Sequence, residues 1–138
     1  MYYLSKTFEV PMAHRLSKLT KSRCVNWHGH NVFIEVTIKA YILNENDMVL
    51  DFSILKKIVN ECIDSWDHGI FLNKTDINCI EDNCVKHVFD QDPTSEVLCE
   101  YLYDQLKEIF MEKHENVYMH SVGMWETRDS KCVYKIEV

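Results

Sequence analysis

The sequence predicts a single α+β domain over residues 1–138, in the order ββααββ, with a four-stranded antiparallel sheet and two helices on one of its faces. Three observations predict it. Two segments near the N-terminus alternate apolar and polar residues, two more strand-like segments close the chain, and two stretches of helical periodicity lie between. A chain of 138 residues can bury a core of useful size without disulfide or metal staples.

The first strand runs from Tyr2 to His14, where the even positions read Tyr, Leu, Lys, Phe, Val, Met and His. Pro11 predicts that this strand is at an edge or locally bulged, because proline has no ladder donor. In the second strand Val32, Ile34, Val36, Ile38, Ala40 and Ile42 alternate with Asn31, Glu35, Thr37 and Lys39. Both strands therefore have one apolar face, as antiparallel neighbours do.

The first helix is DFSILKKIVNECIDSW, with Asp51 as N-cap and Phe52, Leu55, Ile58, Val59, Cys62, Ile63 and Trp66 at helical spacing. The second follows Pro93, as TSEVLCEYLYDQLKEIFMEK, and its stripe is Val97, Leu98, Tyr101, Leu102, Leu106, Ile109 and Phe110. The closing strands, NVYMHSVGMWET and CVYKIEV, are joined by a polar turn over 128–131. From Lys74 to Asp92 neither period fits, so KTDINCIEDNCVKHVFDQD is expected to be a solvated loop insertion at 74–92.

The net charge of -7 argues against a nucleic-acid partner and against an anionic membrane surface. No apolar run approaches the roughly 18 residues of a membrane span, and the polar start MYYLSKTFEV does not resemble a signal peptide. Cysteines 24, 62, 79, 84, 99 and 132 form no small-domain disulfide framework, so the expectation is reduced thiols in a cytoplasmic protein. Cys62 and Cys99 fall within the helical patterns and read as packing residues.

The chemistry concentrates in CVNWHGH. His28 and His30 are two apart, so on a strand they share a face, and His14 ends the other alternating strand on its apolar face. Three converging imidazoles with an open fourth position are the signature of a catalytic zinc. A lone histidine would read as a satisfied core or surface group; H-G-H with a strand-end histidine favours metal. Cys24 suits either a fourth ligand or a reactive thiol, the latter favoured by Lys21 and Arg23, and spacing leaves both open.

Asp67-His68 has the composition of a proton-moving pair, but adjacent side chains seldom bond productively. On the residues alone a helix-end histidine favoured by the dipole is preferred. Glu126 shares a face with Val122 and Met124, a costly place for a lone carboxylate; a cationic ligand edge and an internal arginine are equal candidates for its partner. Cys79, Cys84 and His87 match no common zinc module and read as part of a polar loop.

Taken together, FEVPMAHRL, CVNWHGHN, MVLDFSILK, WDHGIFLN, PTSEVLCEYLYDQLK and WETRDSKCVYK resemble the 6-pyruvoyltetrahydropterin synthase family, nearly end to end. Within it they look most like the 6-carboxytetrahydropterin synthases (QueD type), in which three residues likewise separate the thiol from HGH. The type making hydroxymethyl-dihydropterin usually carries a glutamate in place of the thiol, which Cys24 counts against.

The resemblance implies the tunnelling fold (T-fold), assembled as a homo-oligomer, commonly a hexamer built as a dimer of trimers, with active sites between subunits. It implies zinc ligands at His14, His28 and His30, a catalytic thiol at Cys24, and a catalytic pair at Asp67 and His68. Glu126 would anchor the pterin ring, and Thr94, Ser95 and Glu96 would line its pocket. The implied reaction turns 7,8-dihydroneopterin triphosphate into 6-carboxytetrahydropterin, acetaldehyde and triphosphate, on a route to 7-deazaguanines such as queuosine. Arg15, Lys18, Lys21, Arg23, Arg128 and Lys131 are the cations placed to meet a triphosphate. The sequence departs from this resemblance in two places. Residues 74–92 intervene where the family passes quickly to PTSE, and Trp66 stands where leucine is usual.

Overall fold

Strands β1 (Tyr2–His14) and β2 (His28–Ala40) form a long hairpin whose register runs from Tyr2 opposite Ala40 to His14 opposite His28. The structure, a computed structural model, describes residues 1–137. Helix α1 (Phe52–Ile63) follows, then strands β3 (Gly69–Asn73) and β4 (Lys86–Phe89), helix α2 (Ser95–Lys113), and strands β5 (Tyr118–Thr127) and β6 (Ser130–Tyr134).

The expected architecture is an α+β fold, and the structure is one, but its sheet has six strands rather than four. Their order is β4-β3-β1-β2-β5-β6. The predicted antiparallel set survives as β1, β2, β5 and β6. Two short strands extend it: β3 pairs with the end of β1 in parallel, and β4 pairs with β3 in parallel. The segment 74–92 is therefore more than a loop, since it contains a 3-10 turn over Lys74–Cys79 and all of β4.

Pro11 sits where β1 changes from an open edge to a paired strand, since β3 pairs with it from Met12 onward. The Pro11 carbonyl accepts from the His68 N–H at 2.8 Å, on the side away from β2. In a strand the N and C=O of one residue point the same way, so the missing donor removes no bond to β2.

Both helices close over one sheet face. Val32, Ile34, Val36 and Ile38 of β2 join Leu55, Val59, Leu98, Leu102, Leu106 and Phe110 of the helices in one core. Asp51 caps α1, its carboxylate accepting from the Ser53 N–H at 2.7 Å, and Thr94 caps α2, accepting from the Val97 N–H at 3.2 Å. Phe52 and Tyr101, assigned to the apolar stripes above, are instead exposed. Beyond α1 the chain turns through buried Trp66, whose ring meets Phe71 of β3 edge-on. Gly69 lets this turn close, since a Cβ there would lie 2.9 Å from the Trp66 carbonyl. Among the described residues, no helix is long and apolar enough to cross a membrane.

Candidate metal centre and active site

The hairpin register sets the histidine geometry. His14 faces His28 across the strand pair and Met12 faces His30, so all three imidazoles emerge on one side at the loop end. Ring centroids are 4.6 Å apart for His14 and His28, 5.2 Å for His14 and His30, and 4.9 Å for His28 and His30. One ligand-type atom from each can be chosen so that all three lie within 4.8 Å of one another.

Hydrogen bonds fix two of the tautomers. A carbonyl oxygen can only accept, so Nδ1 of His14 donates to Pro93 at 2.8 Å and Nδ1 of His28 donates to Asn26 at 2.7 Å. In each ring Nε2 is left with the lone pair. For His14, 1% exposed, Nε2 is buried with no hydrogen-bond partner. Burial pushes the His14 pKa down, with help from His28 and His30 and against the Pro93 carbonyl and Glu126. Burial likewise lowers His30, with Glu126 opposing. Both rings therefore favour the neutral form that a metal requires. The cluster fits a borderline cation such as zinc: three converging imidazole nitrogens, one of them buried and unsatisfied.

Cys24 lies outside that cluster. It occupies a 3-10 turn, Arg23–Val25, within the hairpin loop. The Ser22 hydroxyl accepts from its N–H at 3.2 Å, and its carbonyl accepts from the Leu16 N–H at 2.8 Å. The loop thus holds the thiol beside the segment that follows His14, and the ligand atoms that converge are the three imidazoles without it.

Asp67 and His68 overturn the expectation that adjacent side chains do not bond, because the Asp67 carboxylate accepts from His68 Nδ1. The pair lies beyond α1, not at its end. His68 takes φ 59°, a left-handed conformation costly for a residue with a Cβ. His68 is 85% exposed.

Glu126 follows Met124 along the core face of β5, at an irregularity in its register with β6. No arginine pairs with it among the described residues. Its Oε1 lies 3.6 Å from His14 Nε2, and it is 30% exposed. Thr94 acts as a helix cap, and Ser95 Oγ contacts the Glu96 carboxylate at 3.4 Å.

Of the candidate phosphate-binding cations, Arg15 pairs with Asp76 at 3.3 Å and Lys131 with Glu35 at 3.1 Å. His87 donates to the Ser65 carbonyl at 2.8 Å and stacks on Phe71, and among the described residues it forms no second metal cluster with Cys79 and Cys84. Sequence reasoning missed Asp76 and Asp92, both buried, whose partners lie far along the chain; only their place in an otherwise solvated acidic stretch set them apart.

A family model described as 6-pyruvoyl tetrahydropterin synthase matches residues 3–137. The 6-carboxy-5,6,7,8-tetrahydropterin synthase of Aquifex aeolicus is 33% identical over 97% of this chain and 98% of its own length. The protein of that name from Haemophilus influenzae is 30% identical, over 98% of this chain and 99% of its own. An uncharacterised protein from Wolinella succinogenes superimposes with a TM-score of 0.80 at 19% identity, covering 99% of this chain and 98% of that one. The 6-pyruvoyl tetrahydropterin synthase of Caenorhabditis elegans does so with 0.74 at 24%, covering 99% and 96%. These two structures show that the fold is shared.

Proposed function

The chain belongs to the 6-pyruvoyl tetrahydropterin synthase family, and from that premise we propose that it is a zinc-dependent 6-carboxytetrahydropterin synthase. Its substrate would be 7,8-dihydroneopterin triphosphate, released as 6-carboxytetrahydropterin, acetaldehyde and triphosphate for 7-deazaguanine biosynthesis. The names of its relatives support an enzyme of pterin chemistry. The observation that carries the zinc reading is the buried, unpartnered Nε2 of His14 among three converging imidazoles.

His14, His28 and His30 would hold the metal. Zinc, when bound, would polarise a substrate oxygen and lower the pKa of the group that bears it. Cys24, held in the hairpin loop next to the segment that follows His14, would take a side-chain proton as thiolate. Asp67 orients His68 through Nδ1 and leaves Nε2 free to carry a proton. Glu126 would accept from the N–H groups of the pterin ring and so set its register, and Thr94, Ser95 and Glu96 would line the ring's pocket.

The reading includes a homo-oligomer, a hexamer as a dimer of trimers, with active sites between subunits. The uncovered sheet face supports this, since it leaves Phe33 and Val133 exposed beside Trp125. The exposure of His68 also supports it, as expected of a side chain that completes a neighbour's site.

Incubating the zinc-loaded protein with dihydroneopterin triphosphate tests the reading. Acetaldehyde with carboxytetrahydropterin is the expected outcome. Pyruvoyltetrahydropterin would assign the sister activity instead. No product at all would leave a zinc- or pterin-binding protein without turnover.

A further inference from the structure

We infer that Asp92 is a positioning residue for the metal site, acting through Pro93 to hold the ring of His14. The inference rests on the metal reading above and gives the segment between β3 and α2 a task. His14 is the most buried of the three histidines, and the Pro93 carbonyl fixes which of its nitrogens bears the lone pair. A backbone acceptor can orient a ring only if it is itself held.

Asp92 holds it. Its carboxylate, in a residue 7% exposed, accepts from Ser17 Oγ at 2.8 Å, the Lys18 N–H at 2.9 Å and Asn73 Nδ2 at 3.1 Å. Its carbonyl accepts from the Thr94 N–H at 2.9 Å. Ser17 and Lys18 follow closely on His14, and Asn73 ends β3, in which Phe71 pairs with His14. One carboxylate therefore ties the residue before the acceptor to the chain just after His14 and to the strand beside it. Burial alone would raise the Asp92 pKa, but the three donors outweigh it and keep the group ionised. Asp76 repeats the device from the same segment, its carboxylate 3.3 Å from Nε of Arg15, the residue after His14. Residues 15–18 are thus gripped from both ends of 74–92, the stretch that reads in sequence as an insertion.

The test compares full-length wild type, Asp92→Ala, Asp92→Asn and Leu106→Ala. Leu106 is a core residue of α2 with no part in these contacts, and its truncation controls for general destabilisation. Zinc affinity of each metal-free protein is measured by chelator competition, and cobalt(II)-loaded protein is examined by visible spectroscopy. Asp92→Ala is expected to weaken zinc binding by about 10–100-fold and to alter the cobalt bands, as losing an outer-shell support does. Asp92→Asn keeps one acceptor oxygen and should fall between; if Asp92→Ala does not fold, Asp92→Asn carries the test alone. Leu106→Ala should melt earlier yet keep wild-type affinity and spectrum. The inference is overturned if the Asp92 variants bind zinc within about threefold of wild type with unchanged cobalt bands, far below the loss an outer-shell partner causes. It is equally overturned if Leu106→Ala loses as much affinity as they do. Wild type failing to bind zinc would instead overturn the metal site itself.

Discussion

His14 and Glu126 meet at 3.6 Å, imidazole Nε2 to carboxylate Oε1, at the junction of the histidine cluster and β5. The contact admits two roles for the glutamate: a further metal ligand, or an anchor for substrate beside the metal. Glu126 contributes no atom to the set that converges. The Glu126→Gln variant should therefore still bind one zinc per chain by metal analysis, with affinity lowered by the loss of one nearby negative charge. The pterin should bind much more weakly, read as a raised KM. A Glu126→Gln protein that loses zinc altogether would make the glutamate a ligand.

Cys24 and His28 separate the thiol from the metal. Cys24 stands outside the imidazole cluster, whereas His28 is T-stacked against both other rings. Cys24→Ala should retain one zinc per chain by metal analysis and lose turnover, while His28→Ala should lose both. Loss of zinc from Cys24→Ala would mean that the thiol is a ligand.

How much of this could be read from the sequence depends on the range of the interaction. Alternation along β1 and β2 placed their apolar faces, and with them the convergence of His14, His28 and His30, because a hairpin with one buried face has little choice of register. Asp51 was legible as a cap because a cap is a local bond. Strands β3 and β4 were not legible. GIFLN is almost wholly buried and does not alternate, and KHVF has four residues and one neighbouring strand. The Asp67–His68 bond was not legible either, and neither was the left-handed φ of His68, since composition signals neither. The partners of Asp92 lie 19 to 75 positions away along the chain, beyond any pattern of spacing.

The cap on α2 should have an energetic signature of ordinary size. Thr94 accepts from the Val97 N–H, and alanine would leave that donor without a side-chain partner. Thr94→Ala should cost about 1 kcal/mol in urea denaturation, and Thr94→Ser should recover most of it. If both variants lose turnover well beyond the small fraction that unfolds, the threonine also acts in the pocket.

His68 offers a test of whether backbone strain is kept for function. Its φ of 59° is costly for any residue with a Cβ and free for glycine, while its exposed ring packs against little. His68→Ala keeps the strain and loses the imidazole; His68→Gly loses both. The glycine variant should therefore be more stable than the alanine variant by about 1 kcal/mol, from a left-handed cost of roughly 1–2 kcal/mol. That figure is net of the extra freedom glycine gives the unfolded chain, which reduces it by some tenths. On the proposed mechanism both variants should be equally inactive, since the proton would pass through the imidazole. Stability is read from urea denaturation of the metal-free proteins and activity from product formation. Equal stabilities would show that the surrounding chain, and not a strained His68, sets this turn. Activity in either variant would remove His68 from the proton path.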